Sequence, residues 1–522
     1  MKPVMEVLSN IGLGLETALA PTNLLFVLIG VMIGMIIGVL PGLGPAATMA
    51  LLLPFTLDLE PSTAIIMLAG VYYGSMYGGT ITSVMLRVPG ESASVVTTLD
   101  GYPMAQQGRG GAALGIAAIG SLIGGLVAVV GIASLAPQMA RFALSFGPPA
   151  LAALALMGLV LVSFVGSKSM VTGFAMACVG LLLATIGTDQ FDGSNRATFG
   201  LIDLRSGVDI VVLTVGLLGM PALIGQLAQR RAASKEDMAT LRGGKALPSS
   251  PEIKQCAGPI ARGSVIGFLL GLAPGGGGIM SSLASYAVER RRAKDPKRFG
   301  NGAIEGVAGP ETANNAAAQS GFVPLLTLGL PSNPVLAIVF GALLVHGITP
   351  GPSLVSNHAD LFWGVVASML VGNVVLVLVN IYMIRFWVRM VLVPISYLAP
   401  IAFAVVLVSA YSISYSLFEV GLLIAFGVVG YVLEKCGLDC APLVLGFVLG
   451  AILEQNVRRS LLLGDGTLSA FFSDGIAVAV LGLTAAVVVL GVVGSFRRSR
   501  KSAVDAVLSH SETTTPDNSG SR

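Results

Sequence analysis

The sequence predicts an all-α polytopic membrane protein, with roughly 10–12 transmembrane helices arranged as two inverted repeats. Three observations carry that prediction. The chain of 522 residues is 54% hydrophobic and 11% charged, with mean hydropathy +0.86. Soluble domains carry about 25% charged residues, so this chain lacks the charge to cover a wetted surface. Apolar runs near the ~20 residues that cross a bilayer recur along it, among them "LGIAAIGSLIGGLVAVVGIASLA", "LFWGVVASMLVGNVVLVLVNIYMI" and "GIAVAVLGLTAAVVVLGVVG". Finally, each half contains Gly/Pro interruptions of its apolar helices in the same order.

Composition also excludes. A net charge of +3, with the basic residues in short connections, gives no footprint for nucleic acid. Cys178, Cys256, Cys436 and Cys440 form no metal-spaced set with the three histidines, and "CGLDC" reads as ordinary thiols. There is no GxSxG, no HExxH and no histidine beside a membrane serine, so no enzyme signature and no cofactor motif is present.

Taken in order, residues 1–21 form an N-terminal segment, which Glu6, Asn10 and Pro21 mark as mature chain rather than a cleaved leader. Residues 22–228 form the first membrane repeat, and 229–259 a linker. Residues 260–496 form the second repeat, and 497–522 a polar tail that reads as disordered. Lys and Arg concentrate between Arg230 and Lys254, in "ERRRAKDPKR" and in "RRSRK", which the positive-inside rule places in the cytoplasm. The acidic connections "LDLEP" and "TDQFDGSN" then face outward. That assignment leaves Arg458 and Arg459 outside, against the rule.

The interruptions need a purpose, because Gly and Pro cost a helix interior about 1 and 3 kcal/mol. "GVLPGLGPAATMALLLP" and "GLAPGGGGIMSSLASYA" share an apolar helix, a Pro-Gly break and a short helix. The second lacks the Lys-Ser/Thr of a phosphate loop. Its flanks are both basic, so it reads as a re-entrant hairpin. A second break follows each: "MLRVPGESAS" with Pro89 and "LTLGLPSNPV" with Pro331. Paired interruptions in corresponding positions of two halves point to a transporter's midplane site.

The residues expected to bind substrate are therefore Gly42, Gly44, Arg87, Pro89, Gly90, Glu91, Ser92, Gly275, Gly276, Gly277, Asn314, Asn315, Pro331, Ser332 and Asn333. Helix N-termini freed at breaks suit carboxylates, and hydroxyls, amides and freed carbonyls suit sodium. Ser94, Thr97, Glu311 and Thr312 are the candidates for ion coupling, with sodium favoured over protons. Arg87 is expected either to meet a substrate carboxylate or to pair with Glu91.

"GVLPGLGPAAT", "PGESASVVTTLDGYPMAQQGRGGAALG", "GAIEGVAGPETANNAA", "PLLTLGLP", "ALLVHGITPGP" and "LEQNVRRSLLL" together resemble the large membrane subunit, TctA type, of the bacterial tripartite tricarboxylate transporters. The likeness runs from Pro21 to Val480. Arg87, "GLAPGGGG" and "LPSNP" depart from the family's usual pattern. The resemblance implies uptake of small di- or tricarboxylates driven by an ion gradient across the bacterial inner membrane. It also implies two partners, a periplasmic solute-binding protein and a small membrane subunit. The alternative is a channel-like permease for small organic anions that works without a binding protein.

Overall fold

The computed structural model describes residues 2–39, 44–163, 170–221, 247–273, 277–390 and 415–489, with short pieces at 224–225 and between 400 and 411. Among them the structure is helical, apart from a two-residue hairpin pairing Gly187–Thr188 with Asn195–Arg196.

The first half runs α1 (Lys2–Leu19), α2 (Pro21–Val39), α3 (Pro45–Thr56), α4 (Pro61–Leu86), α5 (Thr98–Gln106) and α6 (Gly110–Ala143). Then come α7 (Pro148–Ser163), α8 (Met170–Ala184) and α9 (Ile210–Gly219). The second half runs α10 (Ser250–Gly271), α11 (Gly278–Arg292), α12 (Glu305–Ser320), α13 (Phe322–Leu328), α14 (Pro334–Val345) and α15 (Ala359–Met390). It ends with α16 (Leu417–Lys435), α17 (Ala441–Leu463) and α18 (Gly475–Val489). Five described helices, including α2, α4 and α6, are long and apolar enough to cross a membrane. Five more apolar helices fall short of that length; several border the breaks or bends. This is an all-α polytopic membrane protein.

Two structural features repeat between the halves. In α2, Gly30, Gly34 and Gly38 press on α4, where a β-carbon built at each would come within 2.3, 2.4 and 2.3 Å of the carbonyls of Met67, Val71 and Ser75. In α10, Gly263, Gly267 and Gly271 press on α12, where the same construction meets the carbonyls of Gly309, Ala313 and Ala317 at 2.5, 2.2 and 2.5 Å. Small residues at four-residue spacing let backbones touch, which is how helices associate where lipid removes the hydrophobic drive. Each of these glycine-faced helices ends immediately before the first break of its half.

The corresponding helices α4 and α12 run antiparallel, as inverted repeats require. Tyr72 lies against Phe322 of α13, while Thr80, further along α4, bonds Glu311 near the start of α12. Both helices lie at the centre: every residue of α4 from Ala64 to Met85 is buried, as is α12 from Gly306 onward. Helix α12 carries Glu311, Thr312, Asn314, Asn315 and Gln319, a polar load affordable only inside a protein-lined interior.

Arg458 is paired with the acidic connection around Asp189. Arg458 Nη1 donates to Asp189 Oδ2 at 2.6 Å and Arg196 to Glu454 at 2.5 Å, and Arg458 meets Glu454 at 3.0 Å. Two guanidiniums and two carboxylates thus form one paired network. The Phe191 N–H and then the two guanidiniums hold the Asp189 carboxyl below its usual range. Arg459 is exposed.

Candidate functional site

Both second breaks have one construction. Helix α4 ends at Arg87 in the left-handed region, φ 58, and α13 ends at Gly329 with φ 71. A proline follows two residues later in each, then an extended residue that caps the next helical segment through its side chain. In the first break this is Glu91, whose Oε2 accepts from Ala93 N at 2.8 Å; in the second it is Asn333, whose Oδ1 accepts from Leu336 N at 3.0 Å. Between helix end and cap the chain doubles back on a glycine. A β-carbon at Gly90 would sit 2.7 Å from the Gly79 α-carbon, and one at Gly321 would sit 2.8 Å from Ser332 Oγ.

Each cap is braced by the other half. Asn314 Nδ2 of α12 donates to Glu91 Oε1 at 3.1 Å, and Asn333 Nδ2 donates to the Tyr72 hydroxyl of α4 at 3.1 Å. Neither break can move without breaking a hydrogen bond to the opposite repeat.

Between the breaks lies a cavity of about 550 Å3, within the range of ligand pockets. Four helices present N-terminal residues to it: Pro45 and Ala46 of α3, Gly278 and Ile279 of α11, Pro334 and Val335 of α14, and Ala441 and Pro442 of α17. Pro45, Pro334 and Pro442 have no N–H and the Ala441 N–H is taken by Asp439, so the first-turn donors among these residues are Ala46, Gly278, Ile279 and Val335; with the helix dipoles they attract anions. Glu91 and Asp439 are the ionisable carboxyls among its described lining, and no Lys, Arg or His lines it. Asp439 Oδ1 is engaged as a cap on Ala441 N at 2.8 Å. Ser332 is buried at the wall with no hydrogen-bond partner for Oγ, and Asn314 Oδ1, beneath Gly278, also lacks one.

Gly44, Pro89, Gly90, Glu91, Ser92, Gly277, Ser332 and Asn333 thus line one cavity. Asn314 stands one bond behind it. Ser94 lies behind Glu91, donating to the Glu91 carbonyl at 2.8 Å and accepting from Ser83 Oγ at 2.9 Å. A second buried cluster forms where Thr97 and, at 2.7 Å, Thr80 donate to the Glu311 carboxylate. Gly42, Gly275 and Gly276 lie outside the described residues.

Four expected site residues are elsewhere. Arg87 is exposed, 5.8 Å from the Tyr102 ring centroid, and forms no ion pair with Glu91. The reason is geometric: α4 runs two turns beyond Gly79 before it ends, carrying Arg87 out, and the chain then returns to place Gly90 against Gly79. Thr312 back-bonds to the Ala308 carbonyl at 2.7 Å and packs on Gly120. Asn315 turns to Ser121 of α6 at 2.7 Å. Pro331 is buried in the break without lining the cavity.

Residue reading alone missed two contributors, Tyr72 and Asp439, and took a third, Asp100, only as one member of the polar tract after Pro89. Tyr72 was hidden in the apolar run of α4. Asp439 sits two residues before Ala441-Pro442, a helix-start signal obscured by its flanking cysteines. Asp100 is fully buried on α5; its Oδ1 accepts from the backbone N–H of Gly300, Gly302 and Ala303 at 2.8, 2.9 and 2.8 Å, and its Oδ2 from Tyr286 OH at 2.9 Å. This one carboxylate fastens the first break's helix to the basic loop of the second half.

The chain matches the Tripartite tricarboxylate transporter TctA family over residues 24–445. It belongs to that family. The TctA match spans both pairs of breaks and every cavity-lining residue named above. An uncharacterized 52.8 kDa protein in the TAR-I ttuC' 3' region of Agrobacterium vitis is 43% identical over 497 residues, covering 95% of this chain and 98% of the relative. An uncharacterized protein in the TAR-II ttuC' 3' region of the same organism is 47% identical over 234 residues, covering 45% of this chain and 97% of the relative. No solved structure matches the chain. TctA membership marks the protein as a transporter component, the large subunit type of a tripartite system.

Proposed function

We propose that this chain is the translocating subunit of an ion-gradient-driven, binding-protein-dependent uptake system for organic carboxylates in the bacterial inner membrane. The observation that carries the reading is the convergence of four helix N-termini on one cavity between two matched breaks. An anion is held there by backbone N–H groups, the Ser332 hydroxyl and the Asn333 amide rather than by a basic side chain.

That arrangement also favours a co-transported cation. A carboxylate beside Glu91 meets like charge in a medium where Coulomb energies are large. The oxygens of Glu91, Ser94 and Asn314 supply neutral and anionic donors for sodium, and the Thr80–Thr97–Glu311 cluster supplies a second set. A periplasmic solute-binding protein and a small membrane subunit complete the system, a reading supported by membership of a tripartite transporter family.

The test is uptake of labelled succinate, tartrate and citrate by inner-membrane vesicles carrying this chain, with and without candidate periplasmic binding proteins, under a sodium or a proton gradient. Sodium-driven accumulation that requires a binding protein is expected. Equilibration of these anions by this chain alone, indifferent to either gradient, would favour the channel-like permease.

A further inference from the structure

We infer that the transported carboxylate has an apolar body. This rests on the carboxylate reading above and narrows it. The polar side chains of the cavity are few: Glu91, Ser92, Ser332, Asn333, Asp439 and the Tyr72 hydroxyl. The remaining wall is built by Met76, Val162, Leu218, Ile279, Met280 and Leu445, which come from five different helices.

A small polyanion such as citrate exposes oxygen on every side. In this cavity it would turn some of those oxygens toward aliphatic side chains, where an unpaired polar group costs several kcal/mol. It would also bring three negative charges to a wall with two carboxyls and no described basic side chain. An acid whose carboxylates meet backbone N–H groups and whose hydrocarbon or aryl portion meets side chains such as Met76 and Leu445 satisfies both kinds of lining. The two methionines add an adaptable, polarisable surface suited to a flat ring. The volume of about 550 Å3 also exceeds what a four-carbon diacid fills, leaving room for such a body.

The matched pair succinate and phenylsuccinate isolates the feature, because both carry the same two carboxylates. Binding of each, and of tartrate and citrate, is measured by competition on the full-length chain in detergent. Phenylsuccinate is expected to bind at least tenfold more tightly than succinate. Met280→Gln should reduce that ratio several-fold; its side chain is 42% exposed, so the substitution is compatible with folding. Leu445→Asn is the second variant and should reduce the ratio in the same way. Equal binding of succinate and phenylsuccinate, with tartrate or citrate also bound, overturns the inference and leaves the carboxylate reading standing. Binding of none of the four overturns both. A phenylsuccinate preference that survives both substitutions places the aryl group elsewhere and likewise overturns the inference.

Discussion

At Arg87 a cation occupies a left-handed helix end where the matching position of the other break has Gly329. A non-glycine residue there costs roughly 1 kcal/mol, and the exposed guanidinium reaches only the Tyr102 face. Arg87→Gly is therefore expected to keep half-saturation for transport within about twofold and to raise thermal stability slightly. A large loss of substrate affinity would return Arg87 to the binding site. Glu91 is the opposite case. Its two oxygens accept from Ala93 N and Asn314 Nδ2, and a glutamine can keep at least one of those bonds. Glu91→Gln should fold normally yet lose the dependence of uptake on the sodium gradient while substrate exchange continues. Uptake that remains sodium-driven would assign coupling to the Glu311 cluster instead.

At the scale of elements, the breaks were legible in the sequence because Gly and Pro punctuate an otherwise apolar chain. What each break does with its side chains was not. Nothing in "MLRVPGESAS" says that the chain returns to Gly79, so the exclusion of Arg87 depends on a tertiary contact. The tract around Asn314 was recognisable as unusually polar for an apolar chain, but hydropathy could not identify it as a central buried helix. Nor does spacing alone show that Thr312 and Asn315 face α6. The glycine rows of α2 and α10 stood in plain view, yet composition dissolved them among 67 glycines. They are the firmest structural requirement. Gly34→Ala and Gly267→Ala should each destabilise the chain by at least about 1–3 kcal/mol, because a backbone carbonyl blocks the new methyl. Gly12→Ala, which meets nothing within 4 Å, should not. Thermal unfolding in detergent compares them.

The start of α10 gives a pH prediction at the same scale. Glu252 accepts from the Ser249 hydroxyl and backbone N–H, each at 2.7 Å, and from Arg109 Nη2 at 2.7 Å. These bonds push its carboxyl down to about 2. A depressed carboxylate stabilises the fold above its unfolded value of about 4.3 and loses that contribution as pH falls toward the folded value. The stability gap between the native chain and Glu252→Gln should be constant above pH 5 and shrink as pH falls below about 4. A gap independent of pH would mean that the carboxylate's charge contributes nothing.

Over the whole molecule, two halves of unlike sequence build one site by reciprocal bracing: each break is capped by its own residue and held by the other half's central helix. The fold class and the pairing of breaks were accessible from sequence because they depend on hydropathy and backbone chemistry, which are local. The absence of basic side chains from the cavity's described lining was not, since that lining is assembled from residues distant in the chain, from Gly44 to Leu445. The central claim is that both breaks contact one substrate. It is tested most directly by placing single cysteines at Ala93 and at Ser332, in a chain whose four native cysteines are replaced, and following alkylation by N-ethylmaleimide in transport-competent vesicles. Whichever of succinate, phenylsuccinate, tartrate or citrate the vesicles accumulate should slow alkylation at both positions, with matching concentration dependence. Undiminished alkylation at both positions under saturating transport would contradict the account.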